Sequence, residues 1–159
     1  MCLITGDDAS LMQETCQRTY DSLSRRQVRS LIFHLLYAAE SHEYDDESLE
    51  SIADMMSRGY GIEIPFDSEA FKTAKEIVQH REQLDTLIMP YLHNWRFERI
   101  GQCTKLILRY AMWELFHTDT LPNIIINEAV ELAKCFSEKD AYKFVNGILD
   151  EAIKAKQEG

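Results

Sequence analysis

The segment NEAVELAKCFSEKDAYKFVNGILD, residues 127 to 150 with Ile126 in front of it, decides how the rest of the chain is read. Ile126, Ala129, Val130, Ala133 and Phe136 recur at spacings of three and four, which lines one stripe of an amphipathic helix rather than one face of a strand. Ser137 followed three residues later by Asp140 has the form of a capping box, with Asp in place of Glu or Gln, and predicts a second helix from about Glu138. The apolar positions of that helix, Ala141, Phe144, Val145, Ile148, Leu149, Ala152 and Ile153, enclose the pair Asn146 and Gly147. A glycine inside a helix costs about 1 kcal/mol against alanine. The expectation is therefore that another backbone approaches Gly147, at a helix crossing or at a partner surface.

Working outward, Leu106, Ile107, Tyr110, Ala111, Trp113 and Leu115 predict a strongly apolar helix over Gln102 to Phe116. Arg109 lies within it, with Glu114, Glu128 and Glu131 as candidate partners if it is buried. Trp95, Phe97 and Ile100 read as an apolar plug ahead of it. Ile124 to Ile126 has strand character, but no second strand exists to pair with it. A long helix is expected from a cap at Asp67 or Ser68 to Met89, stopped by Pro90, with a short turn at Tyr91 to Asn94. A further helix covers about Asp46 to Met56, and Arg58, Gly59, Tyr60, Gly61 and Pro65 read as a loop. Val28, Leu31, Ile32, Leu35, Leu36 and Ala39 form the stripe of a core-facing helix beginning near Ser24. The total is about seven helices with short connections, an all-α protein. Residues 24–157 form its domain, and residues 1–23 are an N-terminal extension, either flexible or an added helix.

The net charge of -10 excludes a surface coated with nucleic-acid-binding cations, so any RNA site must be local. Residues 40–69 hold ten acids against the single Arg58, a balance of -9, which leaves the remainder close to neutral. Arg25, Arg26 and Arg29 crowd the start of the first strong helix, where cations oppose the helix dipole. A placement that costs stability implies a use for the charge. The four cysteines and five histidines lack metal-ligand spacing, so no metal or cofactor is expected. Neither a phosphate-binding loop, nor a nucleophile elbow, nor a zinc-protease motif is present, and a binding protein is expected rather than an enzyme. The start of the chain does not have the form of a signal peptide and no apolar run suits a membrane span, which predicts a cytoplasmic location.

Asn127, Glu128, Ala129, Val130, Glu131, Ala133 and Lys134, then Lys143, Phe144, Val145, Asn146, Gly147 and Asp150, resemble the C-terminal signature of the bacterial antitermination factors of the NusB family. The likeness continues through Gly101, Gln102, Lys105, Leu108, Arg109, Ala111, Glu114 and Leu115, and through Arg25, Arg26, Arg29, Leu36 and Tyr37. Gln27 departs from it, standing where the family often has another basic residue. The resemblance implies two packed helical subdomains. It also implies binding of boxA-type single-stranded RNA with a NusE-type small ribosomal protein, and loading onto the RNA polymerase elongation complex to prevent premature termination.

The RNA-binding residues expected are Arg25, Arg26 and Arg29 from the first helix with Tyr91, Asp140, Lys143 and Phe144 from the later part of the chain. Cations would follow phosphates, aromatic rings would stack on bases, and Asp140 would limit the affinity. Phe144 also fits a core position. Two other readings stand beside this one. The first is a helical protein-interaction module, as in a methyltransferase accessory domain, although the chain ends soon after Asp150 and no catalytic domain is expected. The second is a homodimer that hides the RNA surface.

Overall fold

The computed structural model describes residues 19–43, 46–93 and 95–159, with the side chains of residues 46–48 excepted. Among these it holds seven α-helices and no strand: α1 Arg25–Ser41, α2 Asp46–Tyr60, α3 Glu69–Gln79, α4 Arg81–Ile88, α5 Gln102–His117, α6 Pro122–Phe136 and α7 Ala141–Glu158. Three 3₁₀ turns accompany them, at Tyr20–Ser22, Met89–Tyr91 and Phe97–Arg99. The all-α fold is the expected one. The chain divides into two compact units, Met1–Gln79 and His80–Gly159.

In the first unit α1 packs on both α2 and α3. Its stripe buries Leu31, Ile32, Leu35 and Leu36, and Ile52, Phe71 and Ile77 from the other two helices are buried with it. The start of α1 is a reciprocal capping box. The Ser24 hydroxyl accepts from the Gln27 N–H at 3.2 Å, and the Gln27 side-chain oxygen accepts from the Ser24 N–H at 2.8 Å. Ser68 caps α3 by accepting from the Phe71 N–H at 3.3 Å. The Tyr20 hydroxyl accepts from the Ala70 N–H at 3.0 Å in the same first turn. Helix α2 continues through Arg58 and Tyr60, which corrects the loop expected there. The stop is Gly61, with φ at +65°, a left-handed position that glycine takes without a Cβ penalty.

The single long helix expected before Pro90 is two helices. The break falls at His80, whose φ of -103° and ψ of 13° leave the helical region. Neither proline nor glycine marks it in the sequence.

The second unit is built on α5, which packs against α4, α6 and α7 and is buried over most of its circumference from Thr104 to Leu115. Leu106, Ile107, Leu108 and Met112 from α5, Ile125 from α6, and Val145 and Leu149 from α7 form its core. Helix α6 begins with Pro122 in its first turn, so Ile124 to Ile126 are helical. Arg109 is paired with Asp85 of α4, a partner not among those expected from the sequence. The capping box expected at Ser137 does not form. Ser137 is the C-terminal cap of α6 and accepts from the Thr104 hydroxyl at 3.2 Å, while α7 starts only at Ala141. Asp140 stands at the N-cap of α7 with φ at +67° and no side-chain cap bond. A left-handed residue turns the chain there, and Asp tolerates that conformation better than most.

Of the two places expected for Gly147, a helix crossing or a partner surface, the first is not found among the described residues. Gly147 lies on the exposed side of α7, and a Cβ added to it would meet nothing within 4 Å. No close helix crossing among those residues explains it. Among the described residues no helix is long and apolar enough to cross a membrane.

Candidate nucleic-acid interface

The two compact units each carry part of the expected residue set. In the first, Arg25 and Arg26 are exposed and Arg29 is half-buried, all near the N-terminus of α1. The capping box at Ser24 and Gln27 holds this turn together despite the cations on it. Arg25 comes within 3.9 Å of Glu69, but both side chains are largely exposed and such a pair contributes little. Gln27, which withholds a cation from this turn, is therefore the residue that completes its cap.

In the second unit the fold brings Asp140, Lys143 and Phe144 together at the start of α7. Tyr91 is half-buried in the 3₁₀ turn Met89–Tyr91, which packs on the same helix. Lys143 Nζ lies 3.6 Å from Asp140 Oδ1, with both groups exposed. Phe144 is half-buried rather than part of the core. Its ring meets that of Trp95 edge to face at 5.6 Å and 62°.

Trp95 itself is 60% exposed, so it is not the apolar plug expected; of that trio Ile100 alone is buried. Phe97 is half-buried beneath the Lys105 ammonium at 4.8 Å. Tyr142 has ammonium groups over its ring from Lys134 at 5.1 Å and Lys143 at 5.9 Å. Arg99 and Lys139 are exposed beside these rings. Sequence reasoning missed Trp95, Arg99, Lys139 and Tyr142. The available signal was aromatic residues alternating with cations in Trp95-Arg96-Phe97-Glu98-Arg99 and in Lys139 to Phe144, the pattern used to hold single strands.

Cys103 on α5 is a free thiol held above its ordinary pKa by burial and, secondarily, by the Glu138 carboxylate. A raised thiol pKa leaves little thiolate for nucleophilic work. The arrangement offers rings and cations for binding.

A model of the NusB family matches residues 26–154. The transcription antitermination protein NusB of Helicobacter hepaticus is 36% identical over 133 residues, covering 83% of each chain. That of Staphylococcus epidermidis is 37% identical over 130 residues, 80% of this chain and 96% of the relative. Among solved structures, T. maritima NusB superposes with a TM-score of 0.65 at 30% identity, over 83% of this chain and 92% of that one. A chain in the crystal structure of a plectonemic RNA supercoil superposes with a TM-score of 0.66 at 26% identity, over 84% and 96%. With the helical architecture, the residue patterns at both ends and these matches in agreement, the chain belongs to the NusB family of transcription antitermination proteins.

Proposed function

We propose that this protein binds boxA-type single-stranded RNA together with a NusE-type small ribosomal protein, and that the pair joins the RNA polymerase elongation complex to prevent premature termination of ribosomal RNA transcription. The observation that carries the reading is the exposed ring of Trp95 against Phe144, set among Arg99, Lys139 and Lys143. Aromatic rings that remain accessible beside cations suit unpaired bases and their phosphates, and a fully paired helix would offer them little. The arginines on the first turn of α1 supply further phosphate contacts. One of the superposable chains comes from the structure of a plectonemic RNA supercoil, which favours RNA as the class of ligand.

The acidic segment 40–69 matches the basic charge of a ribosomal protein, which would speed encounter more than it tightens the complex. The activity is recognition, carried out in the cytoplasm on a nascent transcript. The test is a calorimetric titration of the protein with boxA-type RNA, with the NusE-type protein, and with both, followed by light scattering of each mixture. Binding of both ligands as one assembly is expected, with a rise in melting temperature on addition of either. Binding of the protein partner without RNA would favour a pure interaction module. A dimer that dissociates when RNA is added would identify an occluded RNA surface.

A further inference from the structure

Trp95 and Phe144 stand over a cavity of about 230 Å³ that lies wholly within the second unit, between the 3₁₀ turn at Phe97–Arg99, the N-terminus of α5 and the start of α7. Its inner side is Ile100, Ala141 and Thr104, and its rim carries Arg99, Lys139 and the carboxylates of Glu138 and Asp140. The volume is below the ~300 Å³ at which pockets for drug-sized ligands begin. It suits one flat heterocycle rather than two stacked ones.

Glu138 gives this cavity a chemical preference. Its carboxylate lies so close to Gly101, the N-cap of α5, that a Cβ added there would collide with it. The positive end of the α5 dipole favours a carboxylate at that place, and the lack of a side chain at Gly101 makes room for it. No hydrogen bond to this carboxylate comes from the described residues. An exposed carboxylate acceptor thus stands on the rim of a cavity whose mouth carries an exposed indole. Arg99 and Lys139 stand exposed on the same rim.

We propose that this cavity receives one unstacked base bearing an exocyclic amino group, with Trp95 stacking on the base and Glu138 accepting from the amino group. Cytosine, adenine and guanine carry such a donor, whereas uracil presents only a carbonyl where cytosine has its amino group, and two acceptors facing each other repel. Glu138 is then a specificity-determining residue and Trp95 a sequence-tolerant platform. The inference rests on the RNA-binding reading above and deepens it by naming the base class.

The test uses the full chain with two ten-nucleotide RNAs, oligo-C and oligo-U, which differ at this donor and carry the same backbone. Affinities are measured by fluorescence anisotropy at several salt concentrations for the wild type, Glu138→Gln and Trp95→Ala, with circular dichroism confirming that each variant is folded. Oligo-C should bind on the order of tenfold more tightly than oligo-U to the wild type, from the size of a single base-edge contact. Glu138→Gln supplies an amide that donates as well as accepts, so the preference should shrink to about twofold through a gain for oligo-U. Trp95→Ala should weaken both RNAs by a similar factor and leave the salt dependence unchanged, because stacking carries no charge. A cytosine preference that survives Glu138→Gln, or no loss of affinity in Trp95→Ala, overturns the base pocket while leaving RNA binding intact. Failure of the wild type to bind either RNA, alone and with the NusE-type partner, overturns both readings.

Discussion

Arg109 of α5 and Asp85 of α4 form a two-pronged pair in which Nε donates to Oδ1 at 2.6 Å and Nη2 donates to Oδ2 at 2.9 Å. The two side chains are only 9% and 15% exposed, so the pair fixes α4 against α5 at a place where neither charge has much access to water. Asp85→Ala should therefore lower stability by about 3 kcal/mol, since it leaves a largely buried guanidinium without its fork partner. Urea denaturation of both proteins measures this. Replacing the pair together by Leu and Met should recover most of the loss, because an apolar pair of similar volume carries no desolvation cost. A loss below about 0.5 kcal/mol in Asp85→Ala would mean that the pair does not hold the packing.

Gly147 should be improvable. Its surroundings are open and its helix is otherwise made of good formers, so Gly147→Ala should raise stability by about 1 kcal/mol. Thermal melts read the change directly. A destabilised alanine variant would show that the helix needs the glycine for a reason its neighbours do not reveal.

Acid should weaken the first unit through His34. Burial lowers the pKa of this imidazole below its ordinary 6.5, opposed in part by the bond that its Nδ1–H donates to the Ser30 carbonyl at 2.7 Å. With the folded-state value depressed, the unfolded chain binds the proton first as pH falls. The stability contributed is full above about 6.5 and is lost as pH drops from there through the folded-state value. Urea midpoints between pH 7.5 and 5.5 should fall less steeply in His34→Leu than in the wild type. Parallel profiles would assign the acid sensitivity to other groups.

The arginines of α1 and the ring of Phe144 should fail in different ways. If Arg25, Arg26 and Arg29 each hold one phosphate, their joint replacement by alanine should flatten the dependence of log affinity on log salt by about 2. Phe144→Ala should weaken RNA binding roughly tenfold, from the 1 to 3 kcal/mol typical of one stacked base, at an unchanged slope. Fluorescence anisotropy with boxA-type RNA over a salt series separates the two. An unchanged affinity and slope in the arginine triple variant would remove α1 from the interface.

Much of the fold was legible because its helices carry strong period: α1, α5 and the apolar side of α7 follow the spacings of Leu31 to Ala39, Leu106 to Leu115 and Val145 to Ile153. The errors lie where local chemistry has two uses. Ser137 and Asp140 have the letters of a cap, but the chain needs a left-handed residue before α7 can start, and Asp140 serves that need. His80 breaks a helix through its backbone dihedrals alone, with no residue type to announce it. Gly147 suggests a helix crossing or a partner surface, and the crossing is not found among the described residues. Trp95 was misjudged because an aromatic ring reads the same in a core as on a rim. In the candidate site, the grouping of Asp140, Lys143 and Phe144 followed from their places on one helix. Glu138, Arg99 and Trp95 come from separate elements, and no spacing in the sequence joins them.

Gln27 sets a limit on how strongly the basic turn of α1 can be charged. A Gln27→Arg exchange would add a fourth cation, yet it would also release the Ser24 N–H from its acceptor and loosen the turn that holds the other three. A frayed turn must be ordered again each time a phosphate is grasped, and that entropy opposes the added attraction. The chain has traded charge for rigidity at this position, so any phosphate that meets α1 would find three cations on a capped turn rather than four on a frayed one.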